Sequence, residues 1–166
     1  MNSHSRQPDR PGKPLSVLIF GAGAIGTYIG GSLALHDHQV VFLERPEIAE
    51  EIRRRGLHLS MEGIDEHLPD PETAASLPEA LSKGPFDAAV FALKSNDTQA
   101  ALKMIEPVSI QMPPMLCLQN GVENEPALAA VLGEDRVIPG SVTSAIGRKA
   151  AGEIVLEKKP EPATHP

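Results

Sequence analysis

Three groups of residues in this chain carry types and spacings that chemistry can use. Gly21-Ala22-Gly23-Ala24-Ile25-Gly26 is a G-x-G-x-x-G. In that pattern the first glycine permits a tight turn, the second lets a diphosphate approach the backbone, and the third lets a helix pack closely on a strand. Glu44-Arg45 follows about twenty residues later, where a carboxylate can hold a ribose 2′-hydroxyl and a guanidinium can pair with a 2′-phosphate. The two side chains make opposite statements about NAD and NADP, and the sequence leaves both open. Lys94 and Asn120 form the third group. An amine can polarise a carbonyl or hold a carboxylate, and an amide can hydrogen-bond a carboxamide or a substrate oxygen.

These groups act together only if the fold gathers them, and the hydrophobic pattern says how. Leu15–Phe20 and Gln39–Leu43 (QVVFL) are apolar, β-branched runs of strand length, and Ala24–His36 between them has helical character. Pro46 opens a helix that runs to Arg55 and stops at Gly56. Leu57–Met61 and Ile64–Leu68 are short strands around Glu62-Gly63, and Pro78–Ser82 is a short helix. A third central strand, Asp87–Ala92, leads into Lys94 and then into a helix from Asp97 to Glu106. Met115–Gln119 is the next strand and leads straight into Asn120, before a helix over Glu125–Leu132. Arg136–Ile146 and Glu153–Glu157 complete the pattern as two strands around GRKAAG.

Strands that are apolar throughout and alternate with helices predict an α/β fold. It is Rossmann-like, with a mostly parallel sheet covered by helices on both faces. Right-handed crossovers put every strand's carboxyl end along one edge of the sheet, where ligands of such sheets bind. The glycine turn, Glu44-Arg45, Lys94 and Asn120 all follow strands, so all belong at that edge.

Composition removes other classes. The net charge of −7 argues against a nucleic-acid binder, and 3% aromatics with no Trp argue against base-stacking surfaces. A single cysteine, Cys117, rules out an internal disulfide framework, suits a reducing cytoplasmic setting and reads as a buried structural thiol. No metal site is expected; His36 and His38 read as histidines at a helix end. Arg53-Arg54-Arg55 reads as a solvated helix end. Leu15–Leu35 carries no charge, which raises a membrane span, but its five glycines favour a strand, a turn and a helix instead. A P-loop fails because Thr27 stands where its lysine is required. A methyltransferase shares the glycine turn and the acid but leaves Lys94 and Asn120 without a role.

The spaced combination of GAGAIG, ALKSNDT, LQNGVENE and GSVTSA resembles the ketopantoate reductases (2-dehydropantoate 2-reductases) from about Leu15 to Glu157. The resemblance implies reduction of 2-dehydropantoate to pantoate with NADPH, in pantothenate biosynthesis. Gly21 to Gly26 would then hold the diphosphate and Arg45 the 2′-phosphate, with Lys94 and Asn120 beside nicotinamide and substrate. Glu44 departs from the small or neutral residue often found before that arginine and keeps NAD(H) in view.

The resemblance also implies a helical second domain that supplies the general-acid lysine. Only nine residues follow Glu157. The expected organisation is therefore a loose leader over 1–14, an NAD(P)-binding domain over 15–157 and a proline-bearing tail over 158–166, with the C-terminal domain absent. Such a chain is expected to bind NADP(H) and to be incomplete for reduction of a small 2-oxo acid. The alternative is a non-catalytic dinucleotide-binding or interaction module. Its open crevice wall would serve as a dimer surface or as the seat of a separate helical C-terminal partner.

Overall fold

The run SVLIF forms strand β1, Ser16–Phe20, with Val17 to Phe20 all buried, as a strand covered on both faces requires. The structure is a computed structural model and describes residues 12–119 and 124–158. After β1 come α1 (Ala24–Leu35), β2 (Gln39–Leu43), α2 (Pro46–Arg55), β3 (Leu57–Met61), β4 (Ile64–Leu68) and β5 (Glu72–Ala74). Then follow α3 (Leu77–Ser82), β6 (Ala88–Phe91), α4 (Thr98–Ile105), β7 (Met115–Cys117), α5 (Asn124–Leu132), β8 (Val137–Pro139), β9 (Ala145–Ala150) and β10 (Glu153–Lys158).

Six strands make one sheet in the order β5-β2-β1-β6-β7-β8, with every neighbour parallel. Counted along the chain within this sheet, that is the 3-2-1-4-5-6 order of a doubly wound dinucleotide-binding fold. The direction of winding reverses between β1 and β6, which opens a crevice beyond their carboxyl ends. The expected fold class therefore holds, and so does the reading of Leu15–Leu35 as strand, turn and helix. Among the described residues no helix is long and apolar enough to cross a membrane.

The pleat divides the core in two. Leu18, Phe20, Val41, Leu43, Ala89 and Phe91 face one way, toward α3, α4 and α5. Val17, Ile19, Val40, Phe42 and Val90 face the other, toward α1 and α2. Each fully buried side chain of this kind contributes about 1.5–3 kcal/mol. Gly30 of α1 lies so close to the sheet that a Cβ there would stand 2.5 Å from the Phe42 ring. Helix and strand consequently approach more tightly than any larger residue allows.

Four differences from the sequence reading have physical causes. A second sheet, β4-β3-β10-β9, packs behind α1, with Leu59 against the space above Gly31. The run Arg136–Ile146 is not one strand, because Pro139-Gly140 divides it. Val137–Pro139 joins the large sheet and Ala145–Ala150 crosses to the small one, while Arg136 turns its guanidinium to the carbonyls of Ser109 and Met112. GRKAAG is mostly strand, and the reversal is confined to Ala151-Gly152, where Gly152 has φ +68°. Strand β5 is an unforeseen edge, three residues long.

The arginine cluster is also engaged rather than merely solvated. Arg53 reaches Glu50 and Thr73, and Arg55 bridges Glu51 and Glu153. The hairpin of β3 and β4 matches expectation. Glu62 (φ 55°) and Gly63 (φ 82°) give it the left-handed two-residue turn that suits strand twist. His36 contacts the Ser32 carbonyl through Nδ1, and His38 Nδ1 accepts the Leu15 N–H, so both rings serve the backbone around α1.

Candidate functional site

The site grows from the turn between β1 and α1. Gly21 has φ +91°, a left-handed conformation that side chains disfavour, and its N–H continues the sheet by bonding Leu43 O at 3.0 Å. Gly26 closes the turn, since a Cβ on it would stand 1.7 Å from Gly21 O. Thr27 reinforces the same contact by donating its hydroxyl to Ala22 O at 3.0 Å. At Gly23, by contrast, a Cβ would meet nothing within 4 Å. The turn is thus packed tight at Gly26 and open at Gly23.

Gly23 is the N-cap of α1, with no side-chain cap and no acidic residue in the first turn. The first amides of a helix have no acceptor within it and carry the positive end of the dipole. Ala24, Ile25 and Gly26 supply such amides here. Open space, uncapped amides and a positive helix end together suit a diphosphate.

Glu44 follows β2 and turns its carboxylate inward. Oε1 accepts the buried Ala22 N–H at 2.7 Å, and Oε2 accepts the Arg45 N–H at 3.1 Å. The acid expected to hold a ribose hydroxyl thus also braces the glycine turn. Arg45 is exposed and extends toward Asp97, with Nη2 3.2 Å from Oδ1.

Beyond β6 and β7 the crevice widens into a cleft of about 390 Å³. Ile25 from the first turn of α1, Leu93 and Lys94 from the loop after β6, and Leu118 and Gln119 from the end of β7 line it. The structure therefore brings Lys94 to the same cleft as the glycine-turn helix, with the amine exposed. Asn120 and its neighbour Gly121 lie outside the described residues.

A buried polar network, which the sequence reading missed, holds this wall. Gln119 Nε2 donates to Leu93 O at 2.7 Å and to Thr98 Oγ1 at 3.0 Å. The Thr98 hydroxyl lies 3.3 Å from both Gln119 Oε1 and Asn124 Oδ1. Leu93 immediately precedes Lys94, so the network fixes the backbone that carries the amine. Gln119, Thr98 and Asn124 each lie at or beside an expected strand or helix end, but nothing in their spacing announces that they meet. Cys117, beneath this wall, is buried, and desolvation pushes its thiol pKa up. Its reading as an inert structural thiol agrees with that.

Comparison with known proteins matches this geometry. The family described as "Ketopantoate reductase PanE/ApbA" matches residues 17–163. The chain is 31% identical over 140 residues to the 2-dehydropantoate 2-reductase of Pyrococcus horikoshii, covering 84% of this chain and 44% of that protein. It is 28% identical over 145 residues to the uncharacterized oxidoreductase YkpB of Bacillus subtilis, covering 84% and 45%. Among solved structures, the 2-dehydropantoate 2-reductase of Geobacter metallireducens superposes with a TM-score of 0.75 at 32% identity, over 86% of this chain and 46% of that one. The chain thus spans less than half the length of these relatives. Family membership also removes the methyltransferase alternative. With the family model matched over residues 17–163 and this fold shared at a TM-score of 0.75, this chain belongs to the ketopantoate reductase PanE/ApbA family.

Proposed function

We propose that this chain is the dinucleotide-binding part of a cytoplasmic reductase that converts 2-dehydropantoate to pantoate with NADPH. The single observation that carries the reading is the glycine turn. It is sealed by Gly26 against Gly21 O, open at Gly23, and placed at the switch point of a 3-2-1-4-5-6 sheet. The names of the relatives support the substrate class.

When bound, the reduced nicotinamide supplies a hydride for the 2-oxo carbon. The chain's own residues do the rest of the positioning. Amides at the start of α1 take the diphosphate charge, and Glu44 keeps the turn rigid through Ala22. Arg45 receives the 2′-phosphate. Lys94, held by the Gln119–Thr98 network, offers its ammonium to the carbonyl oxygen or carboxylate of the 2-oxo acid. Asn120, one residue beyond Gln119 in the chain, supplies an amide to the same substrate. A proton must reach the alkoxide oxygen from a general acid, which the family resemblance assigns to a lysine of a second, helical domain.

Calorimetric titration with NADPH, followed by an NADPH-oxidation assay with 2-dehydropantoate, tests this. The expected result is saturable binding with little or no turnover by the 166-residue chain alone. Absence of binding refutes the cofactor assignment, and full turnover refutes the incomplete catalytic set.

A further inference from the structure

The Arg45–Asp97 ion pair occupies a place that gives it a role in choosing the cofactor. Arg45 stands just beyond the carboxyl end of β2, and Asp97 closes the short 3-10 turn Ser95–Asp97 beyond β6. Strands β2 and β6 are the two neighbours of β1 in the sheet. The pair therefore reaches across the carboxyl end of β1, over the turn at Gly21 to Gly26. Its members are 52 residues apart in sequence and meet only through the fold.

The charges at this corner are unbalanced. Glu44 holds its carboxylate on two backbone amides, one of them that of Arg45, and Asp97 brings its own carboxylate to the Arg45 guanidinium. The guanidinium is thus already paired before any ligand arrives. A ribose 2′-phosphate entering here must take Arg45 from Asp97 and accept the nearby negative charge. A ribose 2′-hydroxyl needs neither.

We propose that Asp97 is a specificity-determining residue, which tethers Arg45 across the crevice mouth and thereby penalises NADP(H) relative to NAD(H). The proposal rests on the dinucleotide-binding reading above and extends it to the residue that sets the ratio of the two affinities. Arg45 side-chain exposure is 67% and that of Asp97 33%. An ion pair this accessible is weak enough for a phosphate to displace and strong enough to tax the displacement.

Calorimetric titrations of NADPH and NADH into the 166-residue chain and into Asp97→Asn, Arg45→Gln and the double variant test it, with circular dichroism confirming the fold of each. Asp97→Asn is expected to tighten NADPH about fivefold and NADH less than about twofold. In the Arg45→Gln background the same change is expected to alter NADPH affinity by less than about twofold, because no guanidinium remains to be freed. Equal tightening of both dinucleotides, or no change for NADPH, overturns the proposal. Undiminished tightening in the Arg45→Gln background overturns the tether as its cause. If the unmodified chain binds neither dinucleotide, the dinucleotide reading itself fails and this proposal with it. Binding of both without a selective Asp97 effect refutes only the proposal.

Discussion

Glu44 holds the glycine turn from the neighbouring strand: its Oε1 accepts the Ala22 N–H at 2.7 Å. Ala22 is 1% exposed, so its N–H loses a sheltered acceptor when Glu44 is truncated. Glu44→Ala is expected to lower stability by about 1–3 kcal/mol, the cost of an orphaned buried donor. Glu44→Gln keeps an acceptor oxygen and is expected to recover most of the loss. Urea unfolding of the three proteins measures both.

The contact at Gly26 predicts a larger effect. Gly26→Ala places a Cβ 1.7 Å from a backbone oxygen, so the turn must open. We expect a loss of at least about 3 kcal/mol, at the high end for point substitutions, because backbone rather than a flexible side chain must move. Thermal unfolding measures it, and an unchanged midpoint would show that the turn is not packed as described.

Thr98 and Gln119 are buried partners, and their coupling can be measured. Thr98→Val and Gln119→Leu are each expected to cost about 1–3 kcal/mol. The double variant should cost less than the sum by about 0.5 kcal/mol or more, since each single change strands the other's polar atoms. The Gln119 change should also weaken substrate-side binding, because Leu93 O loses its 2.7 Å bond beside Lys94.

Cys117 gives a pH prediction. Desolvation raises its thiol pKa in the folded chain, so the native state holds this proton more tightly than the unfolded state does. The associated stability is fully present below the ordinary thiol pKa and is lost as the pH climbs from there through the raised native value. The stability difference between the unmodified chain and Cys117→Ala should therefore shrink between pH 7.5 and pH 10, read as urea midpoints (roughly the range over which a free thiol ionises). A disulfide reagent should label native Cys117 at least about tenfold more slowly than the urea-unfolded thiol.

Much of this was legible from residues alone. Strands β1 and β2 declared themselves because a central parallel strand is buried on both faces, and SVLIF and QVVFL have no polar alternation to confuse them. The glycine turn was legible because Gly21 takes a left-handed φ and Gly26 has no room for a Cβ. Strand β5 was not, because ETA is three residues at a sheet edge and owes its extended form to pairing with Val41, Phe42 and Leu43. Nor was the division of Arg136–Ile146, where Pro139-Gly140 redirects the chain from one sheet to another. Lys94 was placed correctly by its position after a strand, but its support was hidden. Thr98 reaches Gln119 across 21 residues, and Asp97 reaches Arg45 across 52. Local patterns carry no signal of such contacts. Glu44 was expected to address a ribose; that its oxygens also bind Ala22 and Arg45 amides follows only from the sharp turn after β2.

The central claim is that a dinucleotide diphosphate lies against the open side of the turn at Gly23. Titration of NADPH into the unmodified chain and into Gly23→Ala tests it most directly, because a Cβ there meets no protein atom within 4 Å and would intrude only on the space proposed for the diphosphate. The account predicts a variant that melts within about 4 °C of the unmodified chain, as an N-cap change of this size allows, yet binds NADPH at least about tenfold more weakly. A Gly23→Ala chain that binds NADPH as tightly as its parent would contradict it.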